Sequence, residues 1–172
     1  APTLVACLLV LGTPLPALAD TGSPAVADAA AESRKLADLV DAYFEEVLKL
    51  NPLLATSIGD PRYNDRLPNM LSAAYREQER EFHQRHLDAV RAIGSEGLDA
   101  QDLLSYQIFV RDREVDLEDL NFPTHLLPIN QFYNLANFVT MQGAGTNAQP
   151  FKTVADYDAW LARAGQVPVL FD

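Results

Sequence analysis

The chain has 172 residues, with 24 Asp or Glu against 13 Lys or Arg, so its formal net charge is −11. A chain this acidic is repelled by phosphate backbones, which argues against nucleic-acid binding. A hydrophobic fraction of 48% argues against general disorder, and the length suffices for one domain with a single core.

Residues 1–19 have the pattern of a secretory signal peptide. The apolar run Leu4–Leu11 is followed by helix breakers and by Ala-Leu-Ala before Asp20, which predicts cleavage after Ala19. The run is far shorter than the roughly 20 residues of a membrane span, so we expect a periplasmic or secreted protein without a stable span. The only cysteine, Cys7, lies in this run, so the mature chain has no thiol. Alternatively, the four residues ending at Cys7 form a lipoprotein box, which makes this cysteine a lipid anchor.

The next segment combines a predicted spacer with the first predicted helix. Residues 20–33 are small and polar without periodicity, which predicts a flexible spacer. Between Arg34 and Leu50 the apolar residues recur at spacings of three and four, which predicts an amphipathic helix. Pro52 ends this helix and can open a short helical turn, and a loop dense in turn residues follows at 59–68.

Two long helices are predicted in the middle of the chain. The first runs from Ser72, its N-cap, to about Ile93, and places Tyr75, Phe82, Leu87 and Val90 on its buried side. The second begins at Asp99 with a capping-box-like spacing. Its charged half, residues 111–120, predicts an exposed lattice of ion pairs with little energetic weight.

The last part of the chain combines a long loop with a short helix. Residues 121–152 contain several prolines and glycines without a sustained period, which predicts an irregular loop. Thr153 then caps a last helix that carries Tyr157, Trp160, Leu161 and Ala164 on one side. Because no stretch alternates as a strand does, the predicted fold is all-α, an irregular helical array with a long loop around 121–152.

The histidines do not form a recognisable metal motif. A zinc-peptidase helix has H-E-x-x-H, whereas His83 and His86 are three residues apart and Gln84 stands in the place of the glutamate. We therefore interpret both as part of a solvated helix surface and assign no role to His125 in the long loop. No hydrolase nucleophile motif and no phosphate-binding glycine motif is present.

Two loops carry polar and aromatic side chains of the kind that recognise peptides. The first combines Asp60, Arg62 and Tyr63, and the second combines Asn130, Gln131 and Tyr133. Because amides both donate and accept hydrogen bonds, these six residues are candidates for contacts in a substrate cleft. The alternative interpretation is that they cap and brace their own loops.

The order of several motifs resembles the bacterial DUF885 proteins. The motifs are Leu50-Asn51-Pro52, Ala55-Thr56, Gly59-Asp60, Arg62-Tyr63-Asn64-Asp65, Leu67-Pro68, Phe122-Pro123, Leu127-Pro128-Ile129-Asn130-Gln131 and Pro150-Phe151-x-Thr153-x-x-Asp156-Tyr157. The family is mostly helical, exported and related to zinc metallopeptidases, and its presumed catalytic H-E-x-x-P-G-H motif lies in the C-terminal half. The resemblance implies that 34–172 is the N-terminal helical portion of such a protein.

These observations predict an exported, truncated portion of a metallopeptidase-like protein that is inactive by itself. The resemblance implies zinc and a peptide substrate only for the full-length protein, so we assign this chain no catalytic residue, metal ligand or cofactor. The missing C-terminal half is its implied intramolecular partner. The alternative is a stand-alone periplasmic helical module that binds a peptide or protein partner through the 121–152 loop.

Overall fold

The computed structural model describes residues 24–127, 134–145 and 147–171, and their regular elements are all helical. The α-helices are α1 (Pro24–Leu50), α2 (Pro52–Ser57), α3 (Ala73–Ile93), α4 (Ala100–Asp119), α5 (Leu135–Gly143), α6 (Val154–Ala164) and α7 (Val167–Phe171). Short 3₁₀ turns are formed by Pro61–Tyr63 and Thr124–Leu126. The predicted all-α class is confirmed. The predicted signal peptide, 1–19, lies outside the described residues.

Helix α1 begins well before its predicted start. It starts at Pro24 rather than Arg34, so most of the predicted spacer 20–33 is helical. The prediction was wrong because it relied on amphipathic spacing, whereas alanine-rich chain is helical by intrinsic propensity alone. Lys35 Nζ and Glu32 Oε1 are 2.7 Å apart, and this ion pair links the early part of α1 to the start of its amphipathic part.

Helices α1, α3 and α4 pack together and enclose the main core. Its buried members are Leu36, Leu87, Val90 and Phe109. The predicted N-caps are confirmed, because Ser72 Oγ accepts from the backbone N–H of Tyr75 and Asp99 Oδ1 accepts from two backbone N–H groups. Gly94, at φ 78°, ends α3 in a conformation that favours glycine and turns the chain towards α4.

A second small core lies at the C-terminal end of α1. Leu48, Ala55 and Tyr63 form this cluster, which joins α1, α2 and the 3₁₀ turn. Asn51 Oδ1 accepts from the backbone N–H of Leu54 at 3.0 Å, so Asn51 caps α2. Pro52 occupies the first turn, where its missing N–H costs no hydrogen bond. The predicted short helix after Pro52 is confirmed.

Helix α5 lies inside the segment that the sequence predicted to be a long loop. Asn134 Oδ1 accepts from the backbone N–H of Asn137 at 3.2 Å and caps this nine-residue helix. A Cβ at Gly143 would overlap the indole of Trp160, so the glycine allows close packing of α5 on α6. The irregular stretch of 121–152 is thus shorter than predicted, because nine residues are too few for a clear helical period.

Helix α6 has the predicted capping box, but its predicted apolar side is largely exposed. Thr153 Oγ1 accepts from the backbone N–H of Asp156, whose carboxylate accepts from the backbone N–H of Thr153. On the apolar side Leu161 is 67% exposed and Tyr157 is also exposed. The buried residue of α6 is Arg163, which is 1% exposed.

Candidate functional site

An open groove with a volume of about 340 Å³ lies where the N-terminal half of α3 meets the chain that follows α4. The lining residues are Asn51, Met70, Leu71, Tyr75, Arg76, Glu79, Leu120, Phe122, Thr124, His125 and Leu127. Phe122 is 56% and Leu127 70% exposed, so large apolar side chains stand at its rim. This size lies within the range of small-molecule and side-chain pockets, which makes the groove our candidate functional site.

Two polar groups of the groove donate hydrogen bonds inside the protein. The hydroxyl of Tyr75 donates to the backbone oxygen of Leu50 at 3.0 Å. Arg76 donates from Nη1 to the backbone oxygen of Leu71 at 2.8 Å. These bonds hold the walls of the groove in place.

Two other polar groups of the groove have no partner among the described residues. No hydrogen bond or ion pair involves the half-buried carboxylate of Glu79 there. Burial raises the pKa of Glu79, as does repulsion from Asp116, although Arg76 opposes the shift. Nδ1 of His125 is buried without a hydrogen-bond partner. Neither residue stands out in the sequence, because only the tertiary fold places residues 79 and 125 along the same groove.

The first predicted contact loop lies elsewhere and is internally paired. Arg62 donates from Nε and Nη2 to Asp60 and from Nη1 to Glu45 Oε2 at 2.6 Å. Hydrogen bonds from Arg62 are the main reason why the pKa values of Asp60 and Glu45 are lowered. Tyr63 is buried in the small core at the C-terminal end of α1. The structure therefore brings Asp60, Arg62 and Tyr63 together as a brace of their own loop.

The second predicted contact loop lies outside the described residues. It contains Asn130, Gln131 and Tyr133, between the groove residue Leu127 and the start of α5. They stay predicted substrate-cleft residues.

The interpretation of His83 and His86 as solvated surface was wrong. His86 is 3% exposed, and its ring centroid lies 4.5 Å from that of Phe82 and 5.2 Å from that of Tyr43. Its Nδ1 lies 2.9 Å from the backbone oxygen of Phe82, to which it donates when protonated at this nitrogen. Polar residue type suggested solvent, but α1 and α4 pack against this face of α3.

The predicted exposed lattice of ion pairs on α4 was wrong at Arg113. Arg113 is buried, and its Cζ lies 4.1 Å from the ring centroid of Tyr43, a cation–π contact. Its Nε and Nη2 donate to Oδ2 of Asp116 at 2.9 and 2.7 Å. Arg91 and Glu114, by contrast, form an exposed pair of the predicted kind.

The two helical histidines do not fit a zinc site. Nδ1 of His83 lies 3.3 Å from Asp116 Oδ2, an oxygen already bonded to the permanent cation Arg113. Nε2 of His86 is 4.0 Å from Glu46, whose carboxylate is paired with Arg85 at 2.6 Å. A divalent cation here would meet fixed positive charge and carboxylates that are already paired.

The histidine cluster predicts that stability falls in mild acid. Burial is the main cause that lowers the pKa of both His83 and His86 below the ordinary 6.5, despite attraction from Asp116 and Glu46 respectively. Below pH 6.5 the unfolded chain therefore binds more protons than the folded one, and the free energy of unfolding decreases as the pH falls. Urea unfolding at pH 8, 6.5 and 5.5, together with NMR titration of both rings, measures this. A free energy of unfolding that does not change, or ring midpoints at or above 6.5, would contradict the prediction.

Arg163 forms a buried polar cluster that the sequence did not reveal. It donates from Nε to the Arg66 oxygen at 3.0 Å, from Nη1 to Gln149 Oε1 at 2.7 Å, and from Nη2 to Thr56 Oγ1 and the Tyr63 oxygen at 2.8 Å each. No carboxylate of the described residues pairs with it, and burial lowers its pKa to about 10. One side chain thus ties α6 to α2, to residues 63–66 and to residue 149.

The residues that the structure describes contain neither a cluster of metal ligands nor a helix able to span a membrane. Residues 24–127, 134–145 and 147–171 contain no group of three or more His, Cys, Asp or Glu side chains placed to hold a metal ion. None of the helices in these ranges combines the length and apolar character needed to cross a membrane.

Comparison with known proteins gives one match. The family model described as "Bacterial protein of unknown function (DUF885)" matches residues 52–172, which is more than two thirds of the chain. No curated protein and no solved structure matches. The matched stretch includes α2 through α7, and with them the Arg163 cluster and every lining residue of the groove except Asn51. The chain therefore belongs to the DUF885 family of bacterial proteins.

Proposed function

We propose that this chain supplies a peptide-binding wall of an exported, metallopeptidase-like DUF885 protein. The groove beside α3 binds part of a peptide substrate, and zinc and the hydrolytic groups belong to other parts of the full-length protein. The chain itself holds substrate and does not catalyse. Zinc in such a protein would activate water for peptide hydrolysis.

The observation that carries this proposal is the composition of the groove. Apolar side chains at its rim, such as Phe122 and Leu127, offer contact area, while the half-buried carboxylate of Glu79 forms no hydrogen bond with the described residues. Pockets that orient a ligand usually combine apolar surface with a few such polar groups. The predicted contacts Asn130, Gln131 and Tyr133 come shortly after the groove residue Leu127 in sequence, so we retain them as candidate contacts of the same peptide.

Peptide binding in the groove is testable on the 172-residue chain. Trileucine with free termini is expected to shift backbone NMR resonances of Glu79, Phe122 and Leu127 in a saturable way. Phe122→Ala and Leu127→Ala should each weaken binding by about tenfold, the effect expected when an apolar anchor is removed. Leu161→Ala, a truncation of an equally exposed side chain on α6, is the control and should bind as the unaltered chain does. Absence of any saturable shift at the groove would overturn the proposed function.

Export is part of the same proposal. The pattern of residues 1–19 leads us to expect a mature chain that begins at Asp20 in the periplasm or the medium. N-terminal mass analysis of the protein from cell fractions measures this, and Ala19→Arg should block cleavage. A lipid-modified Cys7 at the mature terminus would instead favour the lipoprotein alternative. An uncleaved chain that stays in the cytoplasm would contradict export.

A second candidate function is a helical module that binds a protein partner. The apolar side of α6 favours it, because Val154 is 78% exposed and Tyr157 and Leu161 follow at helical spacing. Binding of a partner helix on this side should be lost with Leu161→Asp and retained with Phe122→Ala. Peptide binding in the groove should show the reverse pattern. The two functions are therefore distinguishable with the same set of variants.

A further inference from the structure

We propose that the ligand of the groove presents an ammonium group to the carboxylate of Glu79. This inference rests on the proposed function, because it names the chemical class of the group that the peptide-binding groove recognises. The ammonium belongs either to the amino terminus of the peptide or to a lysine side chain.

The first reason is that Glu79 lacks a partner. Its half-buried carboxylate forms no hydrogen bond and no ion pair with any described residue. Arg76, one helical turn before Glu79, attracts its carboxylate, but Nη1 of Arg76 donates to the backbone oxygen of Leu71 and Arg76 forms no ion pair with Glu79 there. A partly buried carboxylate without a partner is costly, so a ligand that neutralises it recovers that cost on binding.

The second reason is the type of hydrogen bond that remains available. An ionised carboxylate only accepts hydrogen bonds, and an ammonium has three donors and no acceptor. The Tyr75 hydroxyl donates to Leu50, and no donor of the described residues bonds the Glu79 carboxylate, so a ligand ammonium can supply these donors.

The third reason is electrostatic. Burial raises the pKa of Glu79 and repulsion by Asp116 adds to this shift, while attraction to Arg76 opposes it. An ammonium beside the carboxylate acts in the opposite direction, since an opposite charge favours the ionised form. The aromatic rim residue Phe122 can contact the same cation with its ring face.

The closing experiment compares three peptides on the 172-residue chain by NMR titration. The peptides are trileucine, N-acetyl-trileucine amide and N-acetyl-Leu-Lys-Leu amide. Trileucine or the lysine peptide is expected to bind at least about tenfold tighter than N-acetyl-trileucine amide, the scale of one charge-assisted hydrogen bond. If only trileucine binds more tightly, the recognised ammonium is the amino terminus of the peptide. If only the lysine peptide binds more tightly, it is the lysine side chain. Glu79→Gln should abolish the difference, whereas Glu77→Gln, an exposed carboxylate outside the groove, should preserve it.

Failure of this inference is distinguishable from failure of the proposed function. Equal binding of all three peptides would overturn the proposed ammonium contact but would still support peptide binding in the groove. If no peptide binds, n-butylammonium chloride tests the inference alone through the side-chain carboxyl ¹³C resonance of Glu79. A saturable shift beyond that caused by sodium chloride supports the ammonium site, and its absence overturns it.

Discussion

Replacing Arg163 by Met is expected to lower the free energy of unfolding by about 3–5 kcal/mol, because each buried acceptor left without its donor costs about 1–3 kcal/mol. Met fills similar volume but leaves the acceptors on Arg66, Gln149, Tyr63 and Thr56 without their donor. Each hydrogen bond from a charged donor contributes about 1.5–3 kcal/mol. Four such bonds outweigh the few kcal/mol recovered when the buried guanidinium is removed, so the net effect is destabilising.

Chemical unfolding monitored by circular dichroism measures this change. Arg111→Met removes an exposed cation whose only described ion pair is 4.0 Å long, so it serves as the control with a change within about 0.5 kcal/mol. Arg163→Lys should be intermediate, because an ammonium keeps the charge but lacks the planar set of donors that reaches acceptors on several segments. A free energy of unfolding unchanged by Arg163→Met would show that these hydrogen bonds contribute nothing net.

The sequence predicted those parts of the fold that depend on local chemistry. The caps Ser72, Asp99 and Thr153 were correctly identified, because capping depends on residues three positions apart. The early start of α1 was missed, since its alanine-rich part has propensity without amphipathic spacing. Helix α5 was missed because it is only nine residues long and lies between prolines and glycines. Local signals thus identified most helices but not every boundary.

The side of α6 that faces the protein could not be predicted from hydrophobicity. Binary patterning places Tyr157 and Leu161 inside and Arg163 outside, whereas the structure has the reverse. Arg163 is buried because acceptors from residues 56, 63, 66 and 149 converge on it, and all of these except residue 149 are almost a hundred or more positions away. Such convergence exists only in the tertiary structure.

The candidate site shows the same limit. Asp60 and Arg62 are close in sequence, and their residue types fitted either recognition or a brace within the loop; in the structure the two side chains pair with each other. The groove instead combines Glu79 with His125, two residues that no motif connects. What marks them is the lack of a partner after folding, which a sequence cannot display.

The second large effect is expected at Phe82, where truncation should cost about 3–5 kcal/mol and also alter the pH dependence. The ring lies 4.5 Å from the ring of His86 and 5.1 Å from those of Tyr43 and His83, measured between centroids. It is 5% exposed and joins α1 to α3, so Phe82→Ala leaves a cavity between these helices.

Water in that cavity would rehydrate His86, so its pKa should move back towards the ordinary 6.5. Phe82→Ala is therefore expected to be less stable at pH 8 and to lose less further stability between pH 6.5 and 5.5 than the unaltered chain, because folded and unfolded states then bind similar numbers of protons. Phe44→Ala, which truncates a phenylalanine that is 48% exposed on α1, is the matched control and should preserve the full pH dependence. Urea unfolding at both pH values gives the two quantities. An equal loss of stability on acidification in Phe82→Ala would show that burial beside this ring does not depress the pKa of His86.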